Sequence, residues 1–230
     1  MSGKLPQFVK LPSRWIEKGG LKQFAWGKKG GDEIAALIVL TVIAHHIDRD
    51  TGIARISYTE LAEMASLSRA KVSAALKILI ERDLISGPVT GRSSYQLENY
   101  DPKAGWAMFP VRGLYRNDVV DAFREFKLRR RVELDALKLY LLFAARRNND
   151  TRLAQIGYEK ITEYSGVTAN YIKPALSVLA ANGLIHIEHA QSKESNVGVT
   201  SAYRLAHLPW RPSVLATTGG SESEDGTIAF

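Results

Sequence analysis

Within SLSRAKVSAALKILIERDLI, residues 66–85, three basic side chains (Arg69, Lys71 and Lys77) share a helical segment with the small residues Ala70, Ser73 and Ala74. Val72, Ala75, Leu76, Leu79 and Ile80 follow the i, i+3, i+4, i+7, i+8 spacing of one buried stripe, which leaves the basic and small residues on the outer face. That face holds no carboxylate of its own, since Glu81 and Asp83 come only at the far end. The chemistry it suits is donation to an anionic lattice at close range. A guanidinium offers two parallel hydrogen bonds to one base edge, an ammonium pairs with phosphate, and small neighbours let the helix backbone approach. Arg69 and Lys71, in the first turn, are the candidates for base contact. On an isolated helix the same face would simply be solvated, so its neighbours have to decide.

Those neighbours are ordered. A strongly apolar helix, GDEIAALIVLTVIAHHI, comes first, then a short extended segment, IARIS. The short helix YTELAEMA follows, with Ser57 and Glu60 at capping-box spacing. After a turn, Ser68 caps the basic helix, and two strands joined by a polar hairpin close the block. The hairpin tip, Pro88 to Ser94, is small and positive; Thr90, Arg92 and Ser93 there suit phosphate or minor-groove contact, or form a plain turn.

The block recurs one hundred residues later. From Glu33/Glu133 to Ile85/Ile185 the chain matches itself without a gap, with 15 identities, most of them apolar. The second basic helix becomes GVTANYIKPALSVLAANGLI, residues 166–185, capped by Thr168. Its outward set is Ala169, Asn170, Tyr171, Lys173, Pro174 and Ser177, which carries a single charge. Asn170 suits adenine and Tyr171 a phosphate, while a protein-facing role is the alternative. Tyr203 answers Tyr95, so the second hairpin is eight residues longer, with Lys193 as the cation at its tip.

Helix, short strand, helix, turn, helix and hairpin is the order of a winged helix-turn-helix domain. ISYTELAEMASLSRAKVSAALKILIERDLI resembles the DNA-binding unit of GntR-type regulators and of plasmid and phage replication proteins. Tyr171-Ile172-Lys173-Pro174-Ala175-Leu176 is similar to the PadR-type recognition helix, which tolerates an internal proline. The resemblance covers residues 33–97 and 133–205. It implies a mainly α fold with small β wings (α+β), two tandem winged helix-turn-helix domains from an internal duplication. The expected division is residues 1–100, 101–211 and a disordered acidic tail, 212–230. The implied partner is double-stranded DNA, bound by a covalent pseudo-dimer as a transcriptional regulator would bind it; a replication initiator on origin repeats and a protein-binding adaptor are the alternatives. Replication or transcription proteins are conceivable further partners, and the chain is expected as a monomer or homodimer.

Composition agrees with this expectation. The formal charge is +7 with a pI near 9.5, and the tail SESEDG holds three carboxylates, so the remainder sits near +10. An excess of that size favours a polyanion. The chain has no cysteine, which excludes disulfides, thiolate nucleophiles and cysteine metal sites. His45-His46 falls at a helix end, and His186 and His189 point to opposite sides of a strand, so no metal triad forms by spacing. GKKGGD, residues 27–32, lacks the ending of a phosphate loop and reads as a connecting loop. No cofactor is expected and no nucleophile-base set appears, so an enzyme is not expected either. No signal core or membrane-length apolar run occurs, and the expected location is the cytoplasm.

Other segments have duller expectations. Arg124 to Arg131, REFKLRRR, is expected at a helix end where cations relieve unpaired carbonyls. The aromatic-rich segments before each long helix are expected to pack as extra helices that fix the two units to each other. The tail, ending in Phe230, resembles the acidic, phenylalanine-terminated tails of single-strand binding proteins, although simple solvation accounts for it as well.

Overall fold

The sequence stretches 34–44 and 134–144 are almost wholly apolar, and an element of that kind must be covered on nearly every side. In the computed structural model, which describes residues 5–87, 93–191 and 199–208, both become the central helices of an α+β fold. The first half runs β1 (Phe8–Pro12), α1 (Arg14–Glu17), a 3-10 turn, α2 (Gly30–His45), β2 (Ile53–Arg55), α3 (Tyr58–Met64), α4 (Arg69–Glu81), β3 (Ile85–Ser86) and β4 (Ser94–Leu97). The second half runs β5 (Trp106–Pro110), β6 (Tyr115–Arg116), β7 (Val119–Val120), α5 (Arg131–Arg146), β8 (Leu153–Gln155), α6 (Tyr158–Ser165), α7 (Ala169–Ala181), β9 (Ile185–Gln191) and β10 (Val199–Leu205).

The halves repeat one another in detail. Their antiparallel sheets have the orders β2-β4-β3 and β8-β10-β9, with Ala54 opposite Tyr95 and Ala154 opposite Tyr203. The turn after each long helix closes in the same way. The Oδ1 of Asp48 accepts from the backbone N–H of Asp50 and Thr51, and that of Asn148 accepts from Asp150 and Thr151.

The aromatic segments ahead of the long helices bear out the expectation of extra helices only in part: the first supplies the short α1, packed on α5 and α6, and both add 3-10 turns, but strands lead them. Each begins with a strand, and β1 and β5 pair antiparallel from Phe8↔Pro110 to Pro12↔Trp106. If FVKLP and WAMFP are equivalent positions, the pairing is symmetric about Lys10↔Met108, as a local two-fold axis requires. Proline is tolerated because both fall at strand ends. The arms then exchange: the 3-10 turn at Gly20–Gln23 packs on α6, and β7 packs on α3.

One hydrophobic core runs through both halves. A buried polar tie crosses it, Lys138 of α5 donating to the Phe24 carbonyl at 2.9 Å. Burial pushes that ammonium down to about 8, with the Asp135 carboxylate opposing the shift. The α4 terminus is fixed by Arg82, which forks onto Glu33 at 2.6 and 2.7 Å and covers the Phe24 ring at 4.2 Å. At the equivalent position the Asn182 side chain donates, among the described residues, to the Val178 carbonyl of its own helix at 2.8 Å.

Candidate nucleic-acid interface

The first basic helix is presented as its local sequence directs. Ser57 and Glu60 form the expected capping box on α3. Ser66 then takes a left-handed conformation, φ 52°, that turns the chain into α4. The Ser68 Oγ accepts from the Lys71 N–H at 3.3 Å and starts the helix. Val72, Ala75, Leu76 and Leu79 are buried, but Ile80 is 44% exposed and stands outside the stripe assigned to it. The reason is register: α2 covers the 72/75/76/79 face, and one residue further on the helix has rotated toward solvent.

Arg69, Ala70, Ser73 and Lys77 are exposed, and 69, 73 and 77 lie one turn apart along a single ridge. Arg69 is steadied by donation to the Thr59 Oγ1 at 2.9 Å, and its carbonyl accepts from the Tyr58 hydroxyl. Among the described residues the head of Lys77 has one partner, Glu81 at 3.8 Å. Lys71 differs. It is half-buried and paired at 2.6 Å with Asp32, at the start of α2. The face therefore has one carboxylate of its own, Glu81 at its far end, and acquires a second, Asp32, from a neighbouring element, which makes Lys71 a tethered cation instead of a free one.

The second helix follows the same plan with different chemistry. Gly166 takes the left-handed turn at φ 71°, and Thr168 stands at the N-cap without a side-chain cap bond. Ile172, Ala175, Leu176 and Leu179 are buried, while Asn170, Tyr171, Lys173, Pro174 and Ser177 are exposed. The helix continues through Pro174, which has no N–H to give the Asn170 carbonyl. Ser177 donates to the Lys173 carbonyl at 3.0 Å. Tyr171 occupies the position equivalent to Lys71, and it too is held by the start of its own long helix: the Arg131 guanidinium lies 3.8 Å from the ring centroid.

Of the wing residues, Ser93 is exposed beside β4, whereas Thr90, Arg92 and Lys193 lie outside the described residues, as does the tail 212–230.

The run Arg124–Arg131 is placed at the opposite helix end from the one expected. It leads into the N-terminus of α5, where cations are disfavoured by the dipole. Glu133 resolves the conflict. Its side chain, 1% exposed, accepts from the backbone N–H groups of Lys127, Arg129 and Arg130 at 3.1–3.3 Å, and from the Arg130 Nε at 3.2 Å. Leu128 adopts φ 59° to make that wrap possible. The spacing of Glu133 from the run carried the signal, since a carboxylate three residues into a helix is a capping position.

Among the described residues no group of three or more His, Cys, Asp or Glu side chains can hold a metal, and no helix is long and apolar enough to cross a membrane. Residues 54–86, β2 through β3, match a family model described as winged helix-turn-helix DNA-binding. No curated protein matches the chain. The match and the geometry together support a winged helix-turn-helix reading of the first half, and with it DNA binding.

Proposed function

We propose that the protein is a non-enzymatic, sequence-specific double-stranded DNA-binding protein that regulates transcription in the cytoplasm by occupying a promoter or operator. The observation that carries this is the α4 ridge. Arg69, Ser73 and Lys77 stand exposed on one line with Ala70 beside them, on a helix capped and buttressed in the manner of a recognition helix. A helix of that profile fits a major groove, with arginine supplying base discrimination of roughly 1–3 kcal/mol.

In this reading the two halves are tandem winged helix-turn-helix domains that arose by duplication. The symmetric β1–β5 pairing supports a covalent pseudo-dimer, with α4 and α7 addressing neighbouring groove segments. The two outer faces differ, so the site is an imperfect repeat. The test is selection of a site from a random duplex library with the whole chain, followed by affinity across salt. A groove-binding protein making several phosphate contacts loses orders of magnitude between about 50 and 200 mM salt. Salt-insensitive or absent duplex binding refutes the reading and leaves the protein-binding adaptor. Mapped sites over a transcription start support the regulator; an array of repeats within an origin overturns that role in favour of a replication initiator.

A further inference from the structure

The two junctions that open the long helices, residues 27–31 and 127–131, occupy equivalent places one hundred residues apart. They meet in space. A Cβ built on Gly31 would stand 2.7 Å from the Leu128 carbonyl oxygen, so glycine lets the first junction sit this close to the second, and it would stand 3.2 Å from the Lys71 Nζ of α4. On the other side, Arg131 of the second junction lies against Tyr171 of α7. A path of direct contacts thus runs from one recognition helix to the other through both junctions.

The same junctions concentrate positive charge. Lys28, Lys29, Lys127, Arg129 and Arg130 are all exposed. Lys28, Lys29 and Arg129 make no ion pair among the described residues, and Lys127 has only an exposed Glu125 at 3.8 Å. The backbone N–H groups of Lys127, Arg129 and Arg130 are already engaged by Glu133, so side chains, not helix-end amides, are what this surface offers. Like charges gathered on a fixed scaffold repel one another, and a polyanion laid across them removes that repulsion while releasing counterions.

The geometry points to a third nucleic-acid contact: the paired junctions form a cradle for the phosphodiester backbone in the stretch of duplex between the segments facing α4 and α7. Its ligand is phosphate, so it contributes affinity and register without base preference. This rests on the duplex-binding reading above.

The test uses the full chain and two double variants, Lys28→Ala/Lys29→Ala and Lys127→Ala/Arg129→Ala. Arg130 is kept because it also bonds Glu133. Affinity is measured against salt on the selected duplex and on a scrambled one, and the backbone is footprinted with hydroxyl radicals. Each double variant is expected to lower the salt slope by about 1 to 2, at roughly 0.9 per phosphate contact, equally on both duplexes. Protection should disappear from the backbone between the two half-sites and persist on the flanks. A wild-type slope and an unchanged central footprint in both variants, with tight duplex binding retained, overturn the cradle and leave the duplex-binding reading standing. Failure of the unmodified chain to bind either duplex overturns both. Arg129→Glu provides a stronger single change, and an unaltered slope in that variant also counts against the cradle.

Discussion

Asp32→Asn tests whether the α4 face meets phosphate, because it frees a cation already held there. The Lys71–Asp32 pair is 2.6 Å long, with the two side chains 38% and 22% exposed. Solvent screening at that exposure limits the pair to about 1 kcal/mol or less, and loss of an acidic group from the first turn of α2 adds a few tenths. The melting temperature should fall by only a few degrees for a chain of this size. DNA binding should move the other way. One further cation neutralising one phosphate raises the salt slope by about 0.9, which at 0.1 M salt, referred to 1 M, amounts to roughly eightfold tighter binding. Fluorescence anisotropy on a labelled duplex at four or five salt concentrations measures both quantities. The gain should vanish in Asp32→Asn/Lys71→Ala. If Asp32→Asn leaves affinity and slope unchanged on a duplex that binds well, the start of α4 does not approach the backbone, and the placement of this helix in the groove is wrong.

Arg69→Ala should relax base preference in a selection experiment more than it weakens nonspecific binding, whereas Lys77→Ala should weaken selected and scrambled duplexes alike and reduce the salt slope by about 1; identical profiles for the two would contradict the assigned roles. Arg82→Ala strands the Glu33 carboxylate, whose bidentate partner is only 17% exposed, and should cost about 3–5 kcal/mol in urea denaturation. The equivalent Asn182→Ala loses one local hydrogen bond and should cost about 1 kcal/mol. His45 should contribute to the loss of stability in acid. Burial, with His46 nearby, pushes its imidazole from 6.5 down to about 3, so the native state stays neutral while the unfolded chain takes up a proton. The stability it contributes is complete above about pH 6.5 and is lost as pH falls toward 3, at up to about 1.4 kcal/mol per pH unit. His45→Gln should flatten that part of the pH profile of unfolding relative to the unmodified chain, and an unchanged profile would exclude His45 as its source.

The sequence alone determined most of the local elements and faces within the two repeated blocks, because those depend on neighbours a few positions away, although Ile80 turned outward and Thr168 makes no cap bond. Caps at Ser57 and Ser68, the turn glycine at Gly166 and the stripes 72/75/76/79 and 172/175/176/179 are written in periods of three and four residues. The outward placement of Arg69, Ser73 and Lys77 follows from the same arithmetic. Tertiary structure decided which of those exposed groups are free. Asp32 lies 39 residues before Lys71 in the chain, and no helical period links them; only the packing of α2 on α4 brings carboxylate to ammonium. The run REFKLRRR has the same composition at either end of a helix, and what assigns it to the start of α5 is local again: Glu133, three to six residues on, gathers its backbone N–H groups. That the aromatic segments join the halves was expected, but their pairing as β1 and β5 was hidden, since strand pairing across about one hundred residues is set by the complementarity of two edges and not by either segment. Local spacing fixes what a side chain faces within its own helix. What meets it from elsewhere depends on long-range packing, and at this surface that difference separates a free cation from a tethered one.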